Sequence, residues 1–159
     1  MAKNVVTKLF DQIKNNLSGT PTYATDQFTD EEVLHDPEAV QYVDTGTQSA
    51  AHNIFMQYIE HDESVLDVGC GRGDFYTSWK HDAQAPVNYL GIDHNPRLVK
   101  AAAKKIPGVP VIELSYDQLS TDHIRDWAIT DMVNYKYSDD SNKYDYLVQI
   151  LNKMVTVAN

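Results

Sequence analysis

Ser64 to Phe75 reads SVLDVGCGRGDF, an apolar run that passes directly into three glycines set one residue apart. Val65 to Val68 has the length and composition of a short buried strand. Gly69, Gly71 and Gly73 can take dihedrals barred to residues with a Cβ, and they let a ligand come close to the backbone. In an open parallel sheet, ligands bind beyond the carboxyl ends of the strands, and this loop is predicted to lie at such an end. Asp74 to Lys80 then reads as the front of a helix, with Phe75 and Trp79 on one side, and its opening over Arg72 to Phe75 is expected to direct free amides at the site.

The rest of the chain is consistent with that start. Val5, Val6, Leu9, Phe10, Ile13 and Leu17 follow a helical period, which Gly19 can end. Thr29 and Glu32 form a capping-box pattern, and Asp36 with Pro37 offers a second helix start. DTGTQS, residues 44–49, reads as irregular, and a helical face resumes over residues 49–61. Val87 to Asp93 is predicted as a second strand. Asn95 and Pro96 start a helix through Val99, Ala102, Ala103 and Ile106, which Pro107 and Gly108 stop. VPVIELS is expected as a third strand and DWAITDMV as a fourth. Residues 143–157 read as a helix with an apolar stripe of Tyr144, Leu147, Val148, Leu151 and Val155; the tail VTVAN can instead begin a strand. Alternation of this kind predicts an α/β fold: a mostly parallel sheet with helices on both faces. The 159 residues are expected to form one domain, with 1–61 as an amino-terminal helical cap and 62–159 as the sheet core.

Lys and Arg total 13 against 23 Asp and Glu, a formal charge of −10. Phosphate neutralisation drives most nucleic-acid affinity, so DNA or RNA binding is not expected. No run approaches the roughly 18 apolar residues of a membrane span, and the amino terminus lacks the apolar core of a signal peptide. Cys70 is the only cysteine. Thiolate metal sites and an internal disulfide are therefore excluded, and a reducing, cytoplasmic setting is expected.

Two acids sharpen the loop signal. Asp67 lies just inside the end of the first strand. Asp93 ends the second strand, at the distance downstream that suits a ribose diol. A carboxylate there accepts two hydroxyl protons and repels a phosphate. That favours a nucleoside with a free diol over a 2′-phosphorylated dinucleotide.

VLDVGCGRGDF and YLGIDHNPRLVKAAAKK together resemble the first two motifs of the class I S-adenosylmethionine-dependent methyltransferases. QYVDTGTQSAAHNIFMQYI is similar to a lead-in of one branch of that family, and VPVIELSYDQL to its adenine-contacting segment. DWAITDMVNYKYSDDSNKYDYLVQILNKM resembles its fourth strand and following helix. The resemblance implies a Rossmann-like fold that binds S-adenosylmethionine. It implies that Asp67 fixes the loop and faces the methionine amino group, with Gly69, Gly71 and Gly73 beneath that moiety. Cys70, within the same loop, reads as a small filler and not a nucleophile. Asp93 would hold the ribose hydroxyls, His94 would lie beside the adenosine, and Asp117 would sit near the adenine amino group. Asp131 or Asn134 would face the methyl donor and acceptor.

Blander roles stand beside these. Asp93 can cap a helix, His94 can be a plain loop residue, and Asp117 is equally a turn carboxylate. Tyr42 and Gln48 can line the cofactor's open side or simply pack. The family's sheet has seven strands, of which four can be placed here. The fourth would then be an apolar edge that needs cover from the last helix, a second copy or another polypeptide. Two functions from different classes follow: an S-adenosylmethionine-binding methyltransferase with an unidentified acceptor, or a catalytically inactive, shortened relative acting as a structural or assembly subunit. A dinucleotide enzyme is a third reading, disfavoured by the close GCGRG spacing after Asp67. TDMVNY does not match the signature of amino-directed DNA methyltransferases, and no Pro-Cys pair is present.

Overall fold

The computed structural model describes residues 24–40, 44–81, 88–130 and 143–159. The expected helix over 5–17, together with Tyr42, Asp131 and Asn134, lies outside the described residues.

Four strands form one sheet: β1 (Ser64–Val68), β2 (Asn88–Asp93), β3 (Val111–Glu113) and β4 (Trp127–Ile129). Their order is β3-β2-β1-β4 and every pairing is parallel. The strand order reverses at β1, between β2 and β4, which places a crevice at the carboxyl ends of β1 and its neighbours. Helices α1 (Asp30–His35), α2 (Thr45–Met56), α3 (Asp74–His81), α4 (Pro96–Lys105) and α5 (Lys143–Val155) surround it.

The period-2 alternation of β1 sorts the core into two layers. Leu66 and Val68 face one way, packing with Leu90, Ile92 and Leu119 under Ile150 and Met154 of α5. Val65 faces the other way, with Tyr89 and Ile129, against Phe75 and Trp79 of α3 and Ile59 beyond α2. Helices thus cover both faces, the Rossmann-like α/β arrangement that the pattern predicts.

Several expectations need correction. The segment 44–49 is not irregular. The Asp44 carboxylate accepts from the Thr47 amide at 2.7 Å and starts α2 there, and α2 stops at Met56 instead of reaching 61. Asp36 and Pro37 open only a 3₁₀ turn, Pro37–Val40, while the Thr29–Glu32 capping box forms as read. Helix α5 docks through a neighbouring face, turned from the centre of the expected stripe. Ile150 and Met154, four residues apart, are buried, while Val148, Leu151 and Val155 are 52, 45 and 75 % exposed. The helix therefore packs on a face of the sheet through Ile150 and Met154. Beyond α5, Ala158 makes one parallel bridge to Arg125, the strand-like alternative for the tail. Among the described residues no strand pairs with the outer edge of Trp127–Ile129, and no helix is long and apolar enough to cross a membrane.

Candidate functional site

The loop leaving β1 is shaped by its backbone. Gly69, Gly71 and Gly73 have φ of 79°, 56° and 79°, a region that L side chains rarely enter. Each glycine meets a different neighbour. A Cβ on Gly69 would find nothing within 4 Å, so that side is open. One on Gly71 would touch Val40 at 3.5 Å, and one on Gly73 would lie 2.4 Å from Ile106 Cδ1. Gly73 is thus the packing glycine and Gly69 the one facing free space.

The loop amides have acceptors inside the protein. Gly69 and Cys70 donate to the Ile92 carbonyl at 2.9 and 3.0 Å, and Gly73 donates to that of Cys70. Gly71 donates to Asp93 Oδ2 at 2.9 Å. Of the amides expected to be free over Arg72–Phe75, that of Gly73 is thus taken, and with Gly69, Cys70 and Gly71 also engaged these four do not make the donor nest that a phosphate group needs. Phosphate is further disfavoured by the buried carboxyls of Asp67, Asp74 and Asp93.

Asp93 turns toward the loop. Oδ2 takes the Gly71 amide, and Oδ1 takes the Asn95 amide at 2.8 Å. A carboxylate has about four lone-pair sites, so each oxygen keeps one more acceptor position. Burial pushes this carboxyl up, and the two amides and His94 oppose the rise. His94 is half-buried beside it, with Nδ1 3.8 Å from Oδ1. Asp117 is exposed in the 3₁₀ turn Tyr116–Gln118 that follows β3. Cys70 is buried, and its Sγ would lie only 2.8 Å from a Cβ on Gly91. Burial raises its thiol well above the usual range, which suits packing better than nucleophilic attack.

Asp67 is enclosed at 3 % exposure and accepts from the Tyr89 hydroxyl at 2.7 Å. Burial pushes its carboxyl up to about 7, with Tyr89 pulling it down and the Asp93 and Asp74 charges adding to the rise. A folded-state value above the unfolded one means that the folded protein holds the proton more tightly. Stability from this group is fullest below about pH 4 and is lost as pH rises toward 7. Asp67→Asn removes that loss. It is expected to stabilise the ligand-free protein by about 2–4 kcal/mol at pH 8 and by little at pH 4, read by urea unfolding at both pH values.

Five further residues that shape the site, Arg72, Asp74, Asn95, Arg97 and Lys105, were not picked out as such from the sequence. Arg72, 2 % exposed, reaches from the loop to the Val33 and Asp36 carbonyls at 3.1 and 2.7 Å. It also pairs with Asp74 at 2.7 Å. Lys105 of α4 binds the other Asp74 oxygen, and Gln48 of α2 donates to Asp74 at 2.8 Å. Gln48 is thus buried and tied to Asp74. Burial alone would raise the Asp74 carboxyl, but Lys105 and Arg72 reverse this and hold it below the usual range. Asn95 and Arg97 complete the tie. Asn95 donates to Thr25 Oγ1 at 2.6 Å, and Arg97 donates to the Phe28 carbonyl at 2.8 Å. The segment 24–40 is thereby fastened to both the loop and α4. The readable signals were a charged residue inside a glycine turn and, at Gly91, a glycine inside a strand.

Comparison with known proteins agrees with this architecture. The sugar N-methyltransferase KedS8 from Streptoalloteichus superposes with a TM-score of 0.58 at 16 % identity, over 90 % of this chain and 55 % of that one. S-adenosylmethionine-bound CalS10, an amino pentose methyltransferase from Micromonospora echinaspora, gives 0.57 at 15 % identity over 89 % and 55 %. A Haloferax volcanii methyltransferase structure, solved as a complex with the Trm112 activator, gives 0.53 at 19 % identity over 70 % and 46 %. The chain thus spans about half the length of these structures, and at such identities they share its fold. No curated sequence matches the chain. The sequence profile of protein-L-isoaspartate(D-aspartate) O-methyltransferase (PCMT) matches residues 2–119, well over half of the chain. With its sheet order and glycine loop, the chain belongs to the protein-L-isoaspartate(D-aspartate) O-methyltransferase family.

Proposed function

We propose that the chain binds S-adenosylmethionine across the carboxyl ends of β1 and β2 and takes part in methyl transfer to an acceptor still to be identified. The observation that carries this reading is the Asp93 carboxylate, turned onto the glycine loop with one acceptor position left on each oxygen. A vicinal ribose diol supplies two donors for those positions. The open side of Gly69 leaves room for the ligand to run along the loop, and the engaged amides of Gly69, Cys70, Gly71 and Gly73 argue against a dinucleotide's pyrophosphate. The proposed contacts are Asp67, Gly69, Cys70, Gly71, Gly73, Asp93, His94 and Asp117, with Asp131 or Asn134 toward the reacting groups.

When bound, the cofactor supplies an electrophilic methyl on a sulfonium. The protein's part is to hold donor and acceptor in line and to keep water out. Segment 24–40, fastened by Arg72 and Arg97, acts as part of a cap made by residues 1–61. The family name makes an L-isoaspartyl or D-aspartyl peptide the first acceptor to try. A cytoplasmic setting agrees with the lone buried cysteine.

Calorimetry with S-adenosylhomocysteine tests the reading. Saturable heat and a rise in melting temperature are expected; neither at millimolar ligand rejects it. A second reading, an assembly subunit without catalysis, draws on the exposed Val148, Leu151 and Val155 of α5 and on the outer edge of β4, with which no strand pairs among the described residues. An activator accompanies the Haloferax relative, so a partner polypeptide fits either reading. Light scattering separates them: a ligand-binding monomer supports the first, and an obligate assembly without ligand affinity supports the second.

A further inference from the structure

Three carboxyl groups are buried at the carboxyl ends of β1 and β2, and they are not equivalent. Asp74 has Arg72 and Lys105. Asp93 has two backbone amides. Asp67 has only the Tyr89 hydroxyl, on Oδ2. Among the described residues no hydrogen bond reaches Asp67 Oδ1 and no cation pairs with it. The titratable groups facing it are Tyr89 and Asp93 from β2, Cys70 from the loop and Asp74 from α3, and none is positive. A negative charge in that position is poorly compensated within the protein itself.

We propose that Asp67 senses ligand charge, holding a proton while the site is empty and releasing it when a cationic ligand binds. This rests on the adenosylmethionine reading given above. Tyr89 is the positioning residue, aiming its hydroxyl at Oδ2 from the paired strand. The exchange balances: the O–H bond of the Asp67 carboxyl breaks, the proton passes to buffer, and the carboxylate then faces the ammonium or sulfonium charge. Burial holds the Asp67 carboxyl at about 7 in the protein alone, where such an exchange is readily driven. Burial keeps the Tyr89 phenol protonated and a donor throughout. A bound cation favours the ionised form, so affinity for that cation rises with pH until Asp67 is ionised in the free protein.

Calorimetry of the whole chain with S-adenosylmethionine, in buffers of different ionisation enthalpy, counts the protons. About half a proton per ligand is expected at pH 7 and about a tenth at pH 8, with affinity falling up to about tenfold per pH unit below 7. Tyr89→Phe removes a bond that favours the carboxylate and shifts this profile to higher pH; Asp67→Asn abolishes the release. S-adenosylhomocysteine keeps the ammonium and lacks the sulfonium. Release that persists with it assigns the ammonium as the trigger, and release lost assigns the sulfonium. Binding with no proton exchange and no pH dependence overturns the proposal and leaves the adenosyl reading standing. Failure of both ligands to bind overturns both. Carbon-13 titration of the free protein is an independent check: an Asp67 carboxyl titrating near 4 overturns the proposal whatever binds.

Discussion

Asp74→Ala is expected to cost about 3–5 kcal/mol, the range for breaking a buried ion pair from one side. Small domains have about 5–15 kcal/mol in total, so the variant is expected to be partly unfolded at 37 °C. The reason lies in what remains. Arg72 stays 2 % exposed with its charge uncompensated, and Gln48 and Lys105 lose the same acceptor. Four elements meet at this one carboxylate: α2, the glycine loop, α3 and α4. Urea unfolding gives the loss directly. Adding Arg72→Met removes the stranded charge, so the double variant is expected to lose less than the sum of the two single losses. Additive losses would mean that the pair is incidental. Asp74 is held below its usual range by its cations. The stability it contributes is therefore present above about pH 4 and lost as pH falls through the lowered value.

Asp93→Asn is expected to weaken S-adenosylhomocysteine binding at least about 100-fold, because bonds to a charged acceptor are worth about 1.5–3 kcal/mol each. An asparagine keeps one oxygen and turns an NH₂ toward either the Gly71 or the Asn95 amide, placing donor against donor. The loop is therefore disturbed as well as the ribose contact. Calorimetry gives the affinity, and circular dichroism checks that the fold persists. A variant that folds and binds within threefold of the parent would remove Asp93 from the site.

The sheet was legible in the sequence because its signals are local. Short apolar runs ending in Asp67-Val68 and Ile92-Asp93, with Asn95 and Pro96 starting a helix, leave few alternatives. The turn of Asp93 toward the loop followed from the same pattern, whereas the order β3-β2-β1-β4 is read only from the structure. What was not legible depends on contacts between distant segments. No local rule tells that Arg72 bonds carbonyls at residues 33 and 36, or that Gln48 bonds Asp74. The two faces of α5 are both apolar enough to dock, so sequence periodicity selected Leu151 and Val155 where the sheet took Ile150 and Met154. The start of α2 was misread because its Asp44 cap is followed by Gly46, and glycine in a first turn weakens the helical pattern.

A crystal structure with S-adenosylhomocysteine tests the adenosyl site most directly. The expected result places both ribose hydroxyls on the Asp93 carboxylate, with the rest of the ligand lying along the open side of Gly69. Ligand density at another place, or a ribose that leaves Asp93 untouched, would contradict it.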